Sequence, residues 1–422
     1  MEMVFPKDFI VGSATAAYQV EGNNTNSDFW AEEQAEGSPY TDKSGDAIDH
    51  YRLYRQDIAL MASLGLQAYR FSIEWARVEP APGQYSESAI AHYKDVLLAC
   101  YEYGLTPVVA MHHFSSPQWL MRKGGWGSED TPDRFANYCK FVFQRLGGLI
   151  PYALTFNEVN LPVMLREVFS NIGLIPPVGI AGEAWAAPKW RESAAALCGT
   201  KVDQYITFHM ISDEKKIQLL IEAHRLARQK IKQLSPDTQV GLSMALSDIQ
   251  SVPGGEEAAA AKWQQYFEQY LPALEGDDFF GLQNYTREVY GPVGRLMPAA
   301  DAELTQMKYE YVPEALGQVI QKVNKSIKLP IIVTEHGVAT HNDERRVAFI
   351  RRGLQGVHAC IQQGIDVRGY LHWTTFDNFE WNAGYSMTFG LIAVDRQTQE
   401  RNAKESARYL GQFASTKILK VE

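Results

Sequence analysis

The chain has 422 residues, 45% of them apolar and 21% charged, and carries a net charge of −10. That apolar fraction can fill a large core and excludes a disordered chain. The acidic balance, with no basic run interleaved with aromatics, excludes nucleic acid as an expected partner.

The opening stretch, MEMVFPKDFIVG, has neither the basic region nor the long apolar run of a secretion signal. No run of 18 apolar residues predicts a membrane span. Short apolar runs then alternate with longer amphipathic ones to the end of the chain. The strand-like runs are residues 9–16, 67–73, 106–113 and 152–158, followed by 239–245, 279–285, 330–336 and 368–374. Between them, residues 49–65, 93–104, 132–147, 219–234, 313–327 and 344–363 place apolar side chains at three- and four-residue spacing, which predicts helices. Eight strands separated by helices predict an α/β fold, a single (β/α)₈ TIM barrel with elaborated βα loops, forming one domain over residues 1–422. The longest interval, between the fourth and fifth strands, predicts a large loop region at 161–216 over the barrel mouth. Cys100, Cys139, Cys198 and Cys360 lie far apart with no CxxC pair. They are expected to be reduced core thiols of a cytoplasmic protein.

Active sites of such barrels lie where the strands end. Here the ends are polar. Gln19 and Glu21 follow the first run, and Arg70 lies in the second. The third ends in His112 and His113, the fourth in Asn157 and Glu158, and the sixth in Asn284 and Tyr285. Glu335 and His336 end the seventh; Trp373 ends the eighth, with Glu380 and Trp381 beyond it. Taken alone, each has an ordinary explanation as a cap, an ion-pair partner or a core histidine. Their recurrence at equivalent positions predicts one polar bowl. Two carboxylates, after strands four and seven, would stand near opposite sides of it. Glycoside hydrolysis needs such a pair, one to protonate the leaving oxygen and one to attack the sugar or activate water. The 9 Trp and 21 Tyr also suit stacking against sugar rings. No His-x-His opens the barrel, no Gly-rich phosphate loop follows strands seven or eight, and no GxGxxG follows a strand. Neither metal nor cofactor is expected.

The stretches FIVGSATAAYQVEG, YRFSIEWARVEPAPGQY, TFNE, VTEHG and FDNFEWNAGYSMTFGL resemble the β-glycosidases of glycoside hydrolase family 1. The resemblance runs from about residue 5 to about residue 413. It implies a retaining exo-β-glycosidase acting on β-linked glucosides and on related galactosides or fucosides, without a cofactor. It implies Glu158 as acid/base and Glu335 as nucleophile, their carboxyls about 5–5.5 Å apart as retention requires. Asn157 would hold the 2-hydroxyl, while Gln19, His113, Glu380 and Trp381 grip the other hydroxyls and Trp373 forms the stacking floor. Arg70 and Tyr285 would flank Glu335 and keep it ionised, and Glu158 would start protonated. The expected partner is a small β-glycoside or oligosaccharide, with a second copy of the chain as the one further candidate.

Several positions depart from the family pattern. Val159 stands where Pro usually follows the acid/base, and Ser115 where Asp is common. Residues 161–216 show almost no likeness, which leaves leaving-group preference open. His336 replaces the usual Asn. Its ring either packs neutral against the barrel wall or lines the pocket and titrates near neutrality. Two alternatives to hydrolysis stay open: a transglycosylating enzyme with the same site, and a catalytically dead sugar-binding barrel.

Overall fold

The computed structural model describes residues 2–170, 188–211 and 213–420. Eight parallel strands close a barrel in strict chain order. They are β1 (Ile10–Ala14), β2 (Ala68–Ser72), β3 (Thr106–Ala110), β4 (Tyr152–Leu154), β5 (Gln239–Ala245), β6 (Phe279–Gln283), β7 (Ile331–His336) and β8 (Val367–Trp373). Each falls on one of the eight apolar runs. The runs are nearly continuous because a parallel strand under helices is buried on both faces.

Inside the barrel, Ala68, Val108, Ala110, Leu154, Phe279, Ile332 and Leu371 form a small apolar cluster drawn from six strands. It is a packed floor, as expected of an eight-strand barrel, and it leaves the carboxyl ends of the strands as a bowl above it. The outer helices are His50–Ser63, Glu87–Glu102, Thr131–Leu146, Glu214–Leu234, Ala315–Ser326 and Asp343–Gln362. They coincide with the six amphipathic runs. Three start on a side-chain cap: Ser86, Asp213 and Asn342 accept the backbone N–H of Ala89, Lys216 and Arg345, which satisfies one otherwise orphaned donor in each first turn.

Other elements have weaker sequence signals. A small three-stranded sheet, Asp248–Ser251, Arg287–Gly291 and Gly294–Arg295, grows from the loops after β5 and β6. Its strands are short and mixed in polarity, so they read as loop. The interval expected as a loop region at 161–216 is partly helical, with Leu161–Ser170 and Pro188–Leu197. Residues 171–187 and 212 of that interval lie outside the described residues. The second of these helices packs on Asp28–Gln34, beside the bowl. At the opposite face, Glu2–Val4 pairs antiparallel with Ile418–Lys420 and ties the two ends of the chain together. No helix among the described residues is long and apolar enough to cross a membrane.

The helix Glu405–Thr416 closes against the turn after His50–Ser63. A Cβ on Gly411 would stand 1.6 Å from the Leu64 carbonyl oxygen. Gly411→Ala must therefore push backbone from backbone, an overpacking cost of about 1–3 kcal/mol. The expected result is a lower urea midpoint at unchanged slope. An unchanged midpoint would show that the helix yields freely.

Candidate active site

Side chains alternate along a strand, so the floor residues predict which later residues enter the bowl. In β2 the count holds: Ala68 is in the floor and Arg70, two residues on, points the same way. In β6 it also holds from Phe279 through Gln283 to Tyr285. In β3, β4 and β7 it fails by one. Ala110, Leu154 and Ile332 belong to the floor, whereas His113, Asn157 and Glu335 line the bowl, each three residues later. In β7 the cause is visible as a shift of register between Val333 and Glu335 against β6. A bulge of this kind re-aims the following side chain. Here it turns Glu335 inward and His336 outward.

Glu335 is buried and held from two sides. One guanidinium nitrogen of Arg70 reaches its Oε1 at 2.5 Å, and the Tyr285 hydroxyl donates to Oε2 at 2.5 Å. The other terminal nitrogen of Arg70 donates to the Asn157 side-chain oxygen at 2.5 Å. Burial raises the Glu335 carboxyl above its usual range, opposed by the charge of Arg70 and the bond from Tyr285. Arg70 thus pulls this carboxyl down, as a nearby cation should, while desolvation works against it and is the larger effect.

Glu158 follows β4 with φ +46, in the left-handed region. That turn lets Asn157 and Glu158, adjacent in sequence, both face the bowl. Val159 contributes here in a way proline cannot, since its N–H donates to the Ser243 carbonyl at 3.1 Å. Burial lifts the Glu158 carboxyl well above its ordinary value, and the Glu335 charge lifts it further. Of the two carboxyls, Glu335 has the adjacent cation, so the shared proton belongs on Glu158.

His113, Trp373, Glu380 and Trp381 also line the bowl, and Gln19, expected there too, is bonded to Glu380 without being part of the lining. The Gln19 amide donates to the Phe379 carbonyl at 2.7 Å and to Glu380 Oε2 at 3.1 Å. This leaves its own buried oxygen without a protein partner. Burial, with a smaller contribution from Glu335, pushes the Glu380 carboxyl up to about 8. Burial and Arg70 hold the His113 ring neutral, and Asn157 Nδ2 lies 3.1 Å from its Nε2. Its plane lies near those of Trp373 and Trp381, at 5.7 and 6.0 Å between centres. Phe114 and Trp381, at φ +73 and +49, are two more left-handed residues in the lining.

Glu21, His112 and Asn284, expected in the bowl, lie elsewhere, and of the two positions open to His336 the ring takes the one in the wall. Glu21 pairs with Arg77 at 2.8 Å and accepts from Tyr93. The His112 ring sits 3.0 Å from the Ser116 hydroxyl, among Trp126, Phe156 and Phe208. The Asn284 amide is spent on the Leu246 and Thr286 carbonyls. His336 stacks on Phe349 of the helix Asp343–Gln362 at 4.4 Å, with Nδ1 2.9 Å from the Tyr370 hydroxyl. Burial drops its pKa to about 3, so it is a neutral wall residue and does not line the pocket. Ser115 donates to both oxygens of Glu74, a buried carboxyl pushed up to about 7 behind the bowl. Sequence reasoning missed Phe114 and Phe389 in the lining, and Ser243 and Gln283 beneath Asn157. The alternation in β6 was the available signal for Gln283. No group of three or more His, Cys, Asp or Glu side chains among the described residues is placed to hold a metal ion.

A sequence model described as Glycosyl hydrolase family 1 matches residues 1–271 and 275–418. Beta-glucosidase A of Acetivibrio thermocellus is 28% identical, over 96% of this chain and 97% of its own length. A bifunctional beta-D-glucosidase/beta-D-fucosidase of Bifidobacterium breve is 28% identical over 98% of each chain. A crystal structure of a beta-glycosidase shares 49% identity and superimposes with a TM-score of 0.91, covering 99% of this chain and 98% of that one.

Two pH experiments follow from these environments. Folded Glu380 keeps its proton to about 8, against the usual 4.5. Its contribution to stability is full below pH 4.5 and is lost as pH rises to about 8. Glu380→Gln removes this titration, so urea midpoints should move in favour of the variant between pH 4.5 and 8. A difference independent of pH would contradict the assignment. His336 titrates far below neutrality, so His336→Asn should leave the acid limb of the pH–rate profile superimposable on wild type. It should still lower the melting temperature through loss of the Tyr370 bond. A displaced limb would return the ring to the pocket.

Proposed function

The chain belongs to glycosyl hydrolase family 1, and from that premise we propose that it is a retaining exo-β-glycosidase that hydrolyses β-linked glucosides by double displacement. The observation that carries the reading is the asymmetry of the carboxyl pair. Glu335 has a cation and a phenol to hold its charge, whereas Glu158 has burial and a neighbouring anion to hold its proton. In this reading Glu335 attacks the anomeric carbon while Glu158 protonates the departing oxygen. Ester formation consumes the Glu335 charge. The repulsion that kept Glu158 protonated then vanishes, which suits Glu158 to take a proton from the incoming water.

Asn157 would hold the 2-hydroxyl beside Glu335. The free oxygen of Gln19, the ring of His113, the protonated carboxyl of Glu380 and the indole N–H of Trp381 would serve the remaining hydroxyls. Trp373 would supply the apolar face under the ring. Neither Gln19 nor Glu380 discriminates strongly between epimers at the 4-hydroxyl, so glucosides and the related galactosides and fucosides belong to the same reading. The site would act within one catalytic domain. A cytoplasmic setting is supported by four buried cysteines that form no disulfide.

Three measurements test the reading. Proton NMR of early hydrolysis should show the β-anomer of the released sugar first; the α-anomer first would mean inversion. Glu335→Ala should abolish turnover of an aryl β-glucoside. Glu158→Gln should cost about 10²–10⁴-fold on alkyl glucosides, as loss of a general acid does, and much less on aryl glucosides whose leaving group needs little protonation. Equal losses on both classes would remove Glu158 from the acid role.

A further inference from the structure

The Asn157 side chain could face the bowl in either of two orientations, and only one presents an N–H to a sugar hydroxyl. Arg70 begins the choice, because a guanidinium donates and never accepts. Its contact at 2.5 Å must therefore be to the Asn157 oxygen. A second donor reaches the same oxygen: Gln283 Nε2, at 2.7 Å. Gln283 lies in β6 and is completely buried. It is not part of the bowl lining, and its own Oε1 has no protein partner. Turning its amide would set two acceptors against each other, so its orientation is also decided. The same Nε2 lies 3.2 Å from the Ser243 hydroxyl, which in turn accepts the Glu158 N–H at 3.3 Å.

We propose that Gln283 is a positioning residue for the reaction, fixing the Asn157 carboxamide so that its NH₂ faces the 2-hydroxyl of the bound sugar. The inference rests on the glycosidase reading and extends it by a residue that touches no substrate. With the Asn157 oxygen taken by Arg70 and Gln283, the site offers a donor at the 2-position. The sugar oxygen there must accept, and its own proton is free to point at Glu335. Without Gln283, the oxygen keeps Arg70 and the longer Ser243 contact at 3.4 Å, and the carboxamide loses the neutral donor that holds it most closely. The cost falls chiefly on contacts with the 2-hydroxyl, because Ser243 keeps its own bond to the Glu158 N–H.

The test compares an aryl β-glucoside with its 2-deoxy analogue. Gln283→Leu removes the donor at similar volume. We expect kcat/KM on the glucoside to fall by about 10- to 100-fold, the scale of a misplaced contact, and to change less than about threefold on the 2-deoxy substrate. Gln283→Glu is the second variant and carries the test if the first does not fold. Its carboxylate would repel the Asn157 oxygen, giving the same selective loss at high pH. Protonation on the acid side would restore a donor and recover activity on the glucoside alone. Equal loss on both substrates, or no loss on either, overturns the inference while leaving the hydrolase intact. A wild type that turns over neither substrate overturns the glycosidase reading and this inference with it.

Discussion

The guanidinium of Arg70 sits at the centre of the barrel with no exposure to solvent, bridging Glu335 on one side and Asn157 on the other. A buried cation is costly unless it is paired and its donors are used. Glu335 supplies the paired anion, and the bridge in turn decides where charge can exist in the bowl. One cation supports one nearby anion. Glu158 and Glu380, buried in the same space and facing the Glu335 charge, are driven to hold their protons. The chemical difference between two identical side chains, Glu158 and Glu335, comes from the guanidinium and the phenol that bond Glu335.

That concentration of polar groups above an apolar floor is achieved by breaking backbone regularity. A regular strand delivers one inward side chain in every two. After β4 the left-handed residue at Glu158 puts two adjacent side chains into the bowl, and in β7 a shift of register chooses which of two neighbours turns inward. Phe114 and Trp381 repeat the second device. Non-glycine residues in such conformations cost on the order of 1–3 kcal/mol each and persist only where the surroundings hold them. For Glu158 the surroundings are β5, whose Ser243 accepts both the Glu158 N–H through its hydroxyl and the Val159 N–H through its carbonyl.

A second layer of buried polar groups stands behind the lining. Ser115 binds Glu74, Tyr93 joins Glu74 to Glu21, and Glu21 pairs with Arg77. This chain of bonds connects the loops that carry His113 and Gln19 without entering the bowl. Glu21 therefore looked functional from sequence because it shares a short helix with Gln19, whereas its carboxylate supports the wall from behind.

The amino-acid sequence by itself determined the barrel, because eight apolar runs and six amphipathic ones leave few other ways to bury their faces. It also marked the segments that meet in the bowl, since a carboxylate or amide at the end of an apolar run has no place in the core. It could not say which member of each adjacent pair turns inward. Counting by twos from Ile332 sends His336 into the bowl and Glu335 out, the reverse of what the folded chain does. That choice is made by the pairing of β7 with β6 and by the room that Gly353 leaves for the His336 ring, where a Cβ would stand 2.4 Å from the imidazole. Both are contacts between residues far apart in the chain, so local pattern carries no trace of them. For Gln283 the alternation in β6 gives the direction of the side chain, but its meaning comes from Asn157, which follows a different strand.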